Sequence, residues 1–445
     1  MSSSSSSLSA SDIQPQALSS LFTSLNQAWI RATSSGTVVR PSSTLVLLPD
    51  GRRAPSEAGD GAGEVGKLGV NWRIRCVPSL GQKARAKAQA QAQAQAEGAS
   101  SAASTTVESD VFAPPYDANL FVWSDESHVV LLNKYALVAR HFLLVPKQFA
   151  SQNLPPTPGM LALSYQILRQ DAQSHTMLSS HFPSTSTSTC TLTPEESERE
   201  EDGELFAFYN CGHLSGASQR RSHVQFLRSG LEGQEELGER GEGRVPIERL
   251  LSLCVEEHQG KDDTVFALPL PYQHFVALLT PPSSSQSGAL QSYLMRKLFG
   301  LLEAMQQARF ATLDQQISSS NATFSPSQSG ATQNGPPSYN LLMTTRAMHL
   351  IPRSKEVFEL KVEEDGKEHQ AELSINSMAY AGHLLAKNRA ELLALQSLPG
   401  GALQVLSSTG IAGVKDVTTA LAEEGTLATK EINDGRDLAR GGGNV

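Results

Sequence analysis

Polar and apolar residues alternate in a short stretch that ends at Phe226. Arg221, His223 and Gln225 are the polar members, and Val224 lies between the last two. In an extended strand, residues two apart share a face, so the polar side chains would lie opposite Val224 and Phe226. Imidazole has an unperturbed pKa of about 6.5 and can attack phosphorus and later leave. The pattern therefore fits a nucleophilic histidine, and it equally fits a strand histidine without chemistry.

Small residues precede this histidine, as expected of a loop that approaches an anion. They are Gly216, Ala217 and Ser218. Such residues let backbone N–H groups come close to phosphate oxygens. The side chains of Asn210 and Gln219 would add hydrogen-bond donors. The sequence thus predicts a phosphate-binding loop directly upstream of His223.

The composition of the 445-residue chain limits the class of partner. The formal net charge is -9, and 39% of the residues are hydrophobic. A general nucleic-acid binder normally carries a broad basic surface, which this balance disfavours. An anionic small molecule needs only a few local cations and stays compatible with it. We therefore expect a small-molecule substrate and no nucleic acid.

Targeting signals and cysteine usage bear on the compartment. The start "MSSSSSSLSASD" has no basic segment followed by an apolar one, and no apolar run reaches membrane-spanning length. The cysteines Cys76, Cys190, Cys211 and Cys254 form no CxxC pair and no metal-ligand spacing with histidine. We expect reduced thiols, no membrane association, and a location in the cytoplasm or the nucleus.

Low-complexity stretches interrupt the apolar pattern and suggest domain boundaries. They are too poor in apolar residues to offset the entropy of ordering, so we predict disorder there. The predicted segments are a serine-rich start (1–17), an N-terminal catalytic part (18–229, with insertions at 83–106 and 183–204), a mobile linker (230–247), a C-terminal part (248–400, with an insertion at 318–338) and a disordered tail (401–445).

The ordered blocks between these stretches read as α+β. Helical spacing recurs from Leu18 to Gly36, in "TPGMLALSYQILRQ" and in "LQSYLMRKLFGLLEAMQQ". Two blocks, His128 to Lys147 and Tyr339 to Ser354, each contain a pair of β-branched or leucine-rich runs around a polar turn. We predict an antiparallel sheet with helices packed on it, interrupted by long disordered insertions.

The segment "NCGHLSGASQRRSHVQF" resembles the H-x-H-x-Q active-site segment of the fungal diadenosine tetraphosphate (Ap4A) phosphorylases, or ATP adenylyltransferases, of the histidine-triad and galactose-1-phosphate uridylyltransferase superfamily. Further blocks in the same order resemble that family, namely "VNWRIRCVPSLGQK", "FAPPYDANLFV", "LLNKYALVARHFLLVPKQF", "LPLPYQHFVALL", "SYNLLMTTRAMHLIPRS" and "SINSMAYAGHLLAK". They span about Leu18 to Lys387. An ordered set of this kind is more specific than one short motif, and it favours a nucleophilic role for His223.

The resemblance implies a histidine-triad-like fold and a two-step reaction. His223 would attack the α-phosphorus of Ap4A and form an adenylyl-histidine, and phosphate would then displace it, so that ATP and ADP are released. Gln225 and the amides of Gly216, Ala217, Ser218 and Gln219 would hold phosphate oxygens. Arg221, because it shares a strand face with His223 and Gln225, is expected to add a further phosphate donor. The implied partners are Ap4A, ATP, ADP and phosphate. We expect a monomer without a tightly bound cofactor or a protein metal site, with Mg²⁺ entering alongside the nucleotide.

The resemblance also implies other substrate contacts, each with a plainer alternative. These candidates are Lys83 (or a solvated linker lysine), Asn133 and Lys134 (or a hairpin turn), Asn210, and Asn340, Met343 and Thr344 (or core strand residues). For His141 and His274 we favour structural roles, and for Cys211 an inert thiol.

Two departures from the family pattern keep rival functions open. The family has a histidine where this chain has Arg221, and an aromatic residue where it has Ala347. One rival is a catalytically weak sensor of dinucleoside polyphosphates. The other is a histidine-triad hydrolase, in which water releases the intermediate. Measurable turnover would exclude the sensor, and products that depend on phosphate would exclude the hydrolase.

Overall fold

A computed structural model gives the fold and the side-chain contacts of most of the chain. It describes residues 7–49, 70–79, 110–179, 203–230, 244–251, 254, 264–282, 287–319, 337–364, 366–413, 417–421 and 427–431.

The residues that the structure describes form eighteen β-strands. They are β1 (Ser7–Leu8), β2 (Thr44–Pro49), β3 (Asn71–Cys76), β4 (Tyr116–Asp117), β5 (Phe121–Ser124), β6 (His128–Leu132), β7 (Phe142–Pro146), β8 (Leu205–Cys211), β9 (Val224–Arg228), β10 (Thr264–Ala267), β11 (Phe275–Leu278), β12 (Tyr339–Met343), β13 (Ala347–Pro352), β14 (Val357–Glu364), β15 (Lys367–Ser374), β16 (His383–Ala386), β17 (Val417–Leu421) and β18 (Leu427–Glu431).

One antiparallel sheet organises the molecule. Its strand order is β18-β17-β10-β11-β13-β12-β8-β9-β7-β6-β5. The two predicted hairpins are confirmed, because β6 pairs with β7 and β12 pairs with β13, both antiparallel. A smaller sheet of order β16-β3-β2 and two two-stranded ribbons, β1-β4 and β14-β15, accompany it.

Six α-helices are present in the described residues. They are α1 (Leu21–Ser34), α2 (Pro158–Ser179), α3 (Ser287–Ser319), α4 (Ser377–Ala381), α5 (Arg389–Ser397) and α6 (Gly401–Thr409). The first three correspond to the helices predicted from apolar spacing, so those predictions are confirmed. These three long helices pack against the main sheet, and α2 and α3 also pack against each other.

The two faces of the main sheet differ in what covers them. Alternate residues of the strands, such as Phe142, Tyr209 and Phe226, join one apolar core with α1, α2 and α3. We call this the helix-covered face. On the other face, the first strands pack in a small cluster around Leu143, and the later strands pack in a large cluster that includes Phe208. The boundary between those two clusters is where the polar residues of the candidate site lie.

Some predicted boundaries of disorder are wrong. Within the predicted tail, α6 buries Val405 and Leu406 in the large cluster, because its apolar residues fall on one helical face. At the end of the predicted linker, Val245 is buried in the same cluster. Glu204, the last residue of the predicted insertion 183–204, is also ordered, because its carboxylate pairs with Arg346 at 2.7 Å. Composition alone did not reveal these tertiary contacts. Insertion 83–106 lies outside the described residues.

Candidate active site

Three polar residues form a row across the centre of the main sheet. Asn340 on β12 is the register partner of Asn210 on β8. The pairing of Phe208 with Gln225 places His223 opposite Asn210 when the same register is extended by two residues. All three lie on the face opposite the helices, since Val224 belongs to the helix-covered core. The predicted alternation around His223 is therefore confirmed, although β9 itself begins one residue later.

The imidazole of His223 is held in one orientation. Its Nδ1 lies 2.8 Å from the carbonyl oxygen of Arg221, which can only accept, so Nδ1 carries the proton. Nε2 then bears the lone pair, and it makes no hydrogen bond within the described part of the chain. The residue is 2% exposed, and this burial lowers the pKa of His223. A neutral ring with a free Nε2 is the form that can act as a nucleophile.

Gln152 links the backbone of His223 to the backbone of Asn210. It was not singled out from the sequence. Its side-chain oxygen accepts the His223 backbone N–H at 2.7 Å, and its Nε2 donates to the Asn210 carbonyl at 2.7 Å. Gln152 is 2% exposed. It lies in a loop between β7 and α2, where no periodicity or motif marks it in the sequence.

The predicted phosphate loop has the backbone expected of it. Gly216 adopts a φ of +76°, and a Cβ there would come within 2.7 Å of the Ile375 carbonyl, so only glycine fits. The backbone N–H groups of Gly216, Ala217, Ser218 and Gln219 make no backbone hydrogen bond to any residue that the structure describes. Unpaired N–H groups in a half-exposed loop can bind an anion.

A buried amide and guanidinium network anchors this loop. Asn340 donates from Nδ2 to both Asn210 Oδ1 and the Ser215 carbonyl at 2.9 Å. Arg353 donates to Asn340 Oδ1 at 2.6 Å, and the Ser377 hydroxyl donates to Asn210 Oδ1 at 2.6 Å. Both predicted asparagines are thus brought together, and their side chains hold the loop through other protein groups. Arg353 and Ser377 were not singled out from the sequence.

Gln225 faces the same side and touches His141. The Gln225 side-chain oxygen lies 3.2 Å from His141 Nε2, and the amide of Asn133 lies 3.4 Å from the same ring. Burial lowers the pKa of His141 to about 4, so the ring is neutral near pH 7. The amide nitrogen of Gln225 has no partner among the described residues and can donate to a ligand. His141, for which a purely structural role was predicted, therefore orients a predicted site residue.

Arg221 departs from its prediction as a phosphate donor. The residue is buried, with 6% exposure, and its Nε donates to Asp110 Oδ2 at 2.7 Å. Nη1 donates to the carbonyls of Pro146 and Lys147 at 3.0 and 3.1 Å. The strand face was predicted correctly, but a carboxylate from a distant segment binds the side chain, and sequence spacing could not show that.

The remaining predicted contacts divide into near and distant ones. Met343 belongs to the helix-covered core, on the opposite face of the sheet from His223, so its prediction as a substrate contact is not supported. Thr344 directly follows β12 and hydrogen-bonds to Glu248. It lies four residues after Asn340, which corresponds to about 13 Å of extended chain. Lys134 is exposed on the loop after β6, beside Asn133. Lys83 lies outside the described residues.

A small groove of about 20 Å³ continues along the sheet beyond Gln225. Leu227 lines it, two residues from Gln225 on the same strand face, with Leu137 and Val138 of the loop after β6. Arg73 and Arg75 of the smaller sheet lie on its other side. That volume is far below the roughly 300–1,000 Å³ typical of small-molecule sites, so the groove by itself does not mark a nucleoside pocket.

Other chemistries find less support in the described residues. They contain no cluster of three or more His, Cys, Asp or Glu side chains suited to a metal ion. Burial raises the pKa of Cys211 to about 11, which agrees with an inert thiol. Among the helices described, none combines the length and apolar character needed to cross a bilayer.

The fold and this arrangement define a class, namely α+β proteins that present a buried, oriented histidine beside an anion-binding loop on an antiparallel sheet. Two family models match the chain in order. Residues 62–163 match the Ap4A phosphorylase N-terminal domain, and residues 268–412 match the ATP adenylyltransferase C-terminal domain. Together the two models cover more than half of the chain. The chain therefore belongs to the Ap4A phosphorylase and ATP adenylyltransferase family.

Individual relatives agree with this assignment. Diadenosine 5',5'''-P1,P4-tetraphosphate phosphorylase 2 of Saccharomyces cerevisiae is 27% identical over 301 residues, which is 65% of this chain and 72% of the relative. Protein APA1 of the same yeast is 24% identical over 59% of this chain and 63% of its own length. The crystal structure of yeast Ap4A phosphorylase Apa2 in complex with AMP shares the fold, with a TM-score of 0.54, 21% identity, and coverage of 91% of this chain and 99% of that one.

His223 lies between the two matched regions, so neither family model includes it. The assignment of His223 as the nucleophile depends on the geometry of the site and on the sequence motif around it.

Proposed function

We propose that this protein is an Ap4A phosphorylase and ATP adenylyltransferase that works through an adenylyl-His223 intermediate. The family supports the activity, and one geometric observation carries the residue assignment. The hydrogen bond from His223 Nδ1 to the Arg221 carbonyl leaves Nε2 with its lone pair and without a protein partner.

In the first step, His223 Nε2 attacks the α-phosphorus of Ap4A. A P–N bond forms, the bond to the bridging oxygen breaks, and ATP leaves. In the second step, inorganic phosphate attacks the same phosphorus and the P–N bond breaks, which releases ADP and restores the histidine. The reverse direction makes Ap4A from ATP and ADP.

The protein contributes mainly positioning and charge stabilisation, as expected for transfer at phosphorus. The amides of Gly216 to Gln219 hold phosphate oxygens, and the Gln225 amide nitrogen supplies one more donor. Gln152 and Asn210 keep the backbone of His223 and of the loop in register.

Several properties belong to the same proposal. The protein acts as a monomer on small-molecule nucleotides, in the cytoplasm with the nucleus as a second location. It holds no cofactor tightly. Mg²⁺ enters as part of the nucleotide complex, bound by phosphate oxygens.

The test supplies Ap4A to the full chain, with and without phosphate and Mg²⁺, and separates the products by chromatography. We expect equal amounts of ATP and ADP that depend on phosphate. ATP and AMP formed without phosphate would indicate the hydrolase instead. Tight binding of Ap4A without any product would indicate the sensor.

A further inference from the structure

The side chain of Arg221 joins three separate segments next to the nucleophile. Its Nε donates to Asp110 Oδ2, and its Nη1 donates to two carbonyls at the end of β7, Pro146 and Lys147. The planar guanidinium can bind the carboxylate and the two carbonyls at once, because its N–H donors diverge at fixed angles. A lysine ammonium could not reach all three acceptors in this geometry.

The backbone of Arg221 acts on the nucleophile directly. Its carbonyl accepts the Nδ1 proton of His223 at 2.8 Å. The neighbouring backbone is tied to the loop after β7, since Ser222 N donates to the Ala150 carbonyl at 2.7 Å. Any movement of Arg221 would therefore move the acceptor that selects the tautomer of His223.

Asp110 is also linked to the same ring through Phe112. Its Oδ1 accepts the Phe112 backbone N–H at 3.1 Å. The Phe112 ring centroid lies 5.1 Å from that of His223, with the planes at 55°. One carboxylate thus holds both Arg221 and the aromatic residue that covers the imidazole.

We propose that Asp110 and Arg221 form a clamp that positions His223, and that both are positioning residues rather than ligands of the substrate. The clamp orients the Arg221 carbonyl and the Phe112 ring together, so that Nε2 stays the unprotonated nitrogen. This inference rests on the proposed function for its kinetic consequence. Its structural consequence, the tautomer, does not depend on turnover.

The kinetic test is a double-mutant cycle of Asp110→Asn, Arg221→Gln and the combined variant in the full chain. We expect each single variant to lower kcat by about tenfold to a hundredfold, the scale of a small misplacement of a reacting group. KM for Ap4A and for phosphate should change by less than about twofold. The double variant should lose no more than either single one, because the residues act as one unit. Asp110→Glu should recover part of kcat.

Asp171→Asn is the matched control. Asp171 on α2 pairs with Arg228, at the other end of β9, and this pair is also largely buried, with its side chains 7% and 15% exposed. Its loss should lower stability without a comparable loss of kcat in the folded protein. If Arg221 instead grips phosphate, Arg221→Gln will raise KM while Asp110→Asn will not, and additive losses will overturn the clamp.

A second measurement needs no activity. ¹⁵N NMR of imidazole-labelled protein, with His223 identified by its absence in His223→Ala, reports which ring nitrogen carries the proton. We expect Nδ1–H in the parent and a mixture of tautomers in Asp110→Asn, with no change in Asp171→Asn. If the parent is inactive but Asp110→Asn still changes the tautomer of His223, the proposed function is wrong and the clamp is supported. An active parent whose tautomer and kcat survive Asp110→Asn would sink the clamp and leave the function.

Discussion

Two buried histidine clusters lie on the same face of the main sheet, and only one has the features of an active site. The first surrounds His223. The second joins His274 before β11, His349 on β13 and Glu248, with His274 Nε2 3.1 Å from His349 Nδ1 and His349 Nε2 3.5 Å from Glu248 Oε1. Both clusters are almost fully buried, so burial does not distinguish them.

The second cluster pairs its charged groups with one another, although His274 Nδ1 and His349 Nε2 are buried without a hydrogen bond. Glu248 also accepts hydrogen bonds from Thr344 and Arg346, and Arg346 pairs in turn with Glu204. Its carboxylate therefore has partners on both oxygens, as a buried charge requires. In the adjoining loop between β12 and β13, the backbone N–H groups of Thr344 and Arg346 both have partners, the Ala347 carbonyl and the Thr344 hydroxyl.

The first cluster leaves selected groups unused. The described residues place no carboxylate in contact with His223, and they leave its Nε2, the Gln225 amide nitrogen and the loop N–H groups without partners. Polar groups are costly to leave unpaired, so an opening toward solvent or ligand is needed beside them. An unpaired ring nitrogen does not by itself distinguish the two clusters, since His274 Nδ1 is also buried without a hydrogen bond. The His223 cluster is distinguished by the adjoining loop of unpaired N–H groups, and the second cluster by a carboxylate whose oxygens are both paired.

The sharpest way to break this comparison is to remove each histidine in turn. His223→Ala should lower turnover at least about 1000-fold and abolish the adenylyl adduct, since no other group replaces the nucleophile. His349→Ala should retain kcat in the folded fraction. Intact-mass spectrometry with Ap4A and no phosphate measures the adduct. An equal adduct in His223→Ala would move the nucleophile elsewhere.

The next largest effect should be on stability, in the second cluster. Glu248→Leu removes one partner of a buried ionic network and leaves Arg346 with less compensation, so we expect a loss of about 3 kcal/mol in the free energy of unfolding. Denaturant titration measures it. Glu359→Leu, at an exposed position on β14, is the control and should change stability little. Equal losses in both variants would contradict the network.

A smaller kinetic effect should follow from Gln152→Leu. It leaves the His223 N–H and the Asn210 carbonyl unpaired, which costs about 1–3 kcal/mol, and we expect a roughly tenfold to hundredfold loss in kcat. KM should stay near the parent value because the side chain contacts the backbone rather than the ligand. Steady-state kinetics at several Ap4A concentrations separates the two. A pure rise in KM would make Gln152 a substrate contact.

The smallest effect is a pH dependence in the second cluster. Burial and the nearby Glu248 charge raise the pKa of Glu204 to about 7, from 4.5. A raised carboxyl pKa gives stability that is present below pH 4.5 and lost as pH rises through 7. Glu204→Gln should therefore remove this loss. We expect its free energy of unfolding to match that of the parent or exceed it by about 1–2 kcal/mol at pH 8, and to show no such gain at pH 5. Parallel stability curves for both proteins would refute it.

Much of the fold followed from local patterns. The helices α1, α2 and α3 follow from apolar spacing, and the hairpins β6-β7 and β12-β13 follow from apolar runs around polar turns. The face shared by His223 and Gln225 follows from the alternation of a strand. Burial of α6 was not predicted, because its short apolar face becomes significant only against the large cluster that packs on it.

The sequence by itself determined the three long helices, the two hairpins, the place of Gly216 and the candidate nucleophile, because helix period, strand alternation and backbone freedom depend on neighbours in the chain. Only the tertiary structure decided that Arg221 pairs with Asp110, that Gln152 holds the His223 backbone, and that Met343 lies on the wrong face for the site. Hydrogen bonds between distant segments depend on distances that no sequence interval encodes. The polar partners of a buried site are set by packing, whereas its reactive residue can be found from pattern.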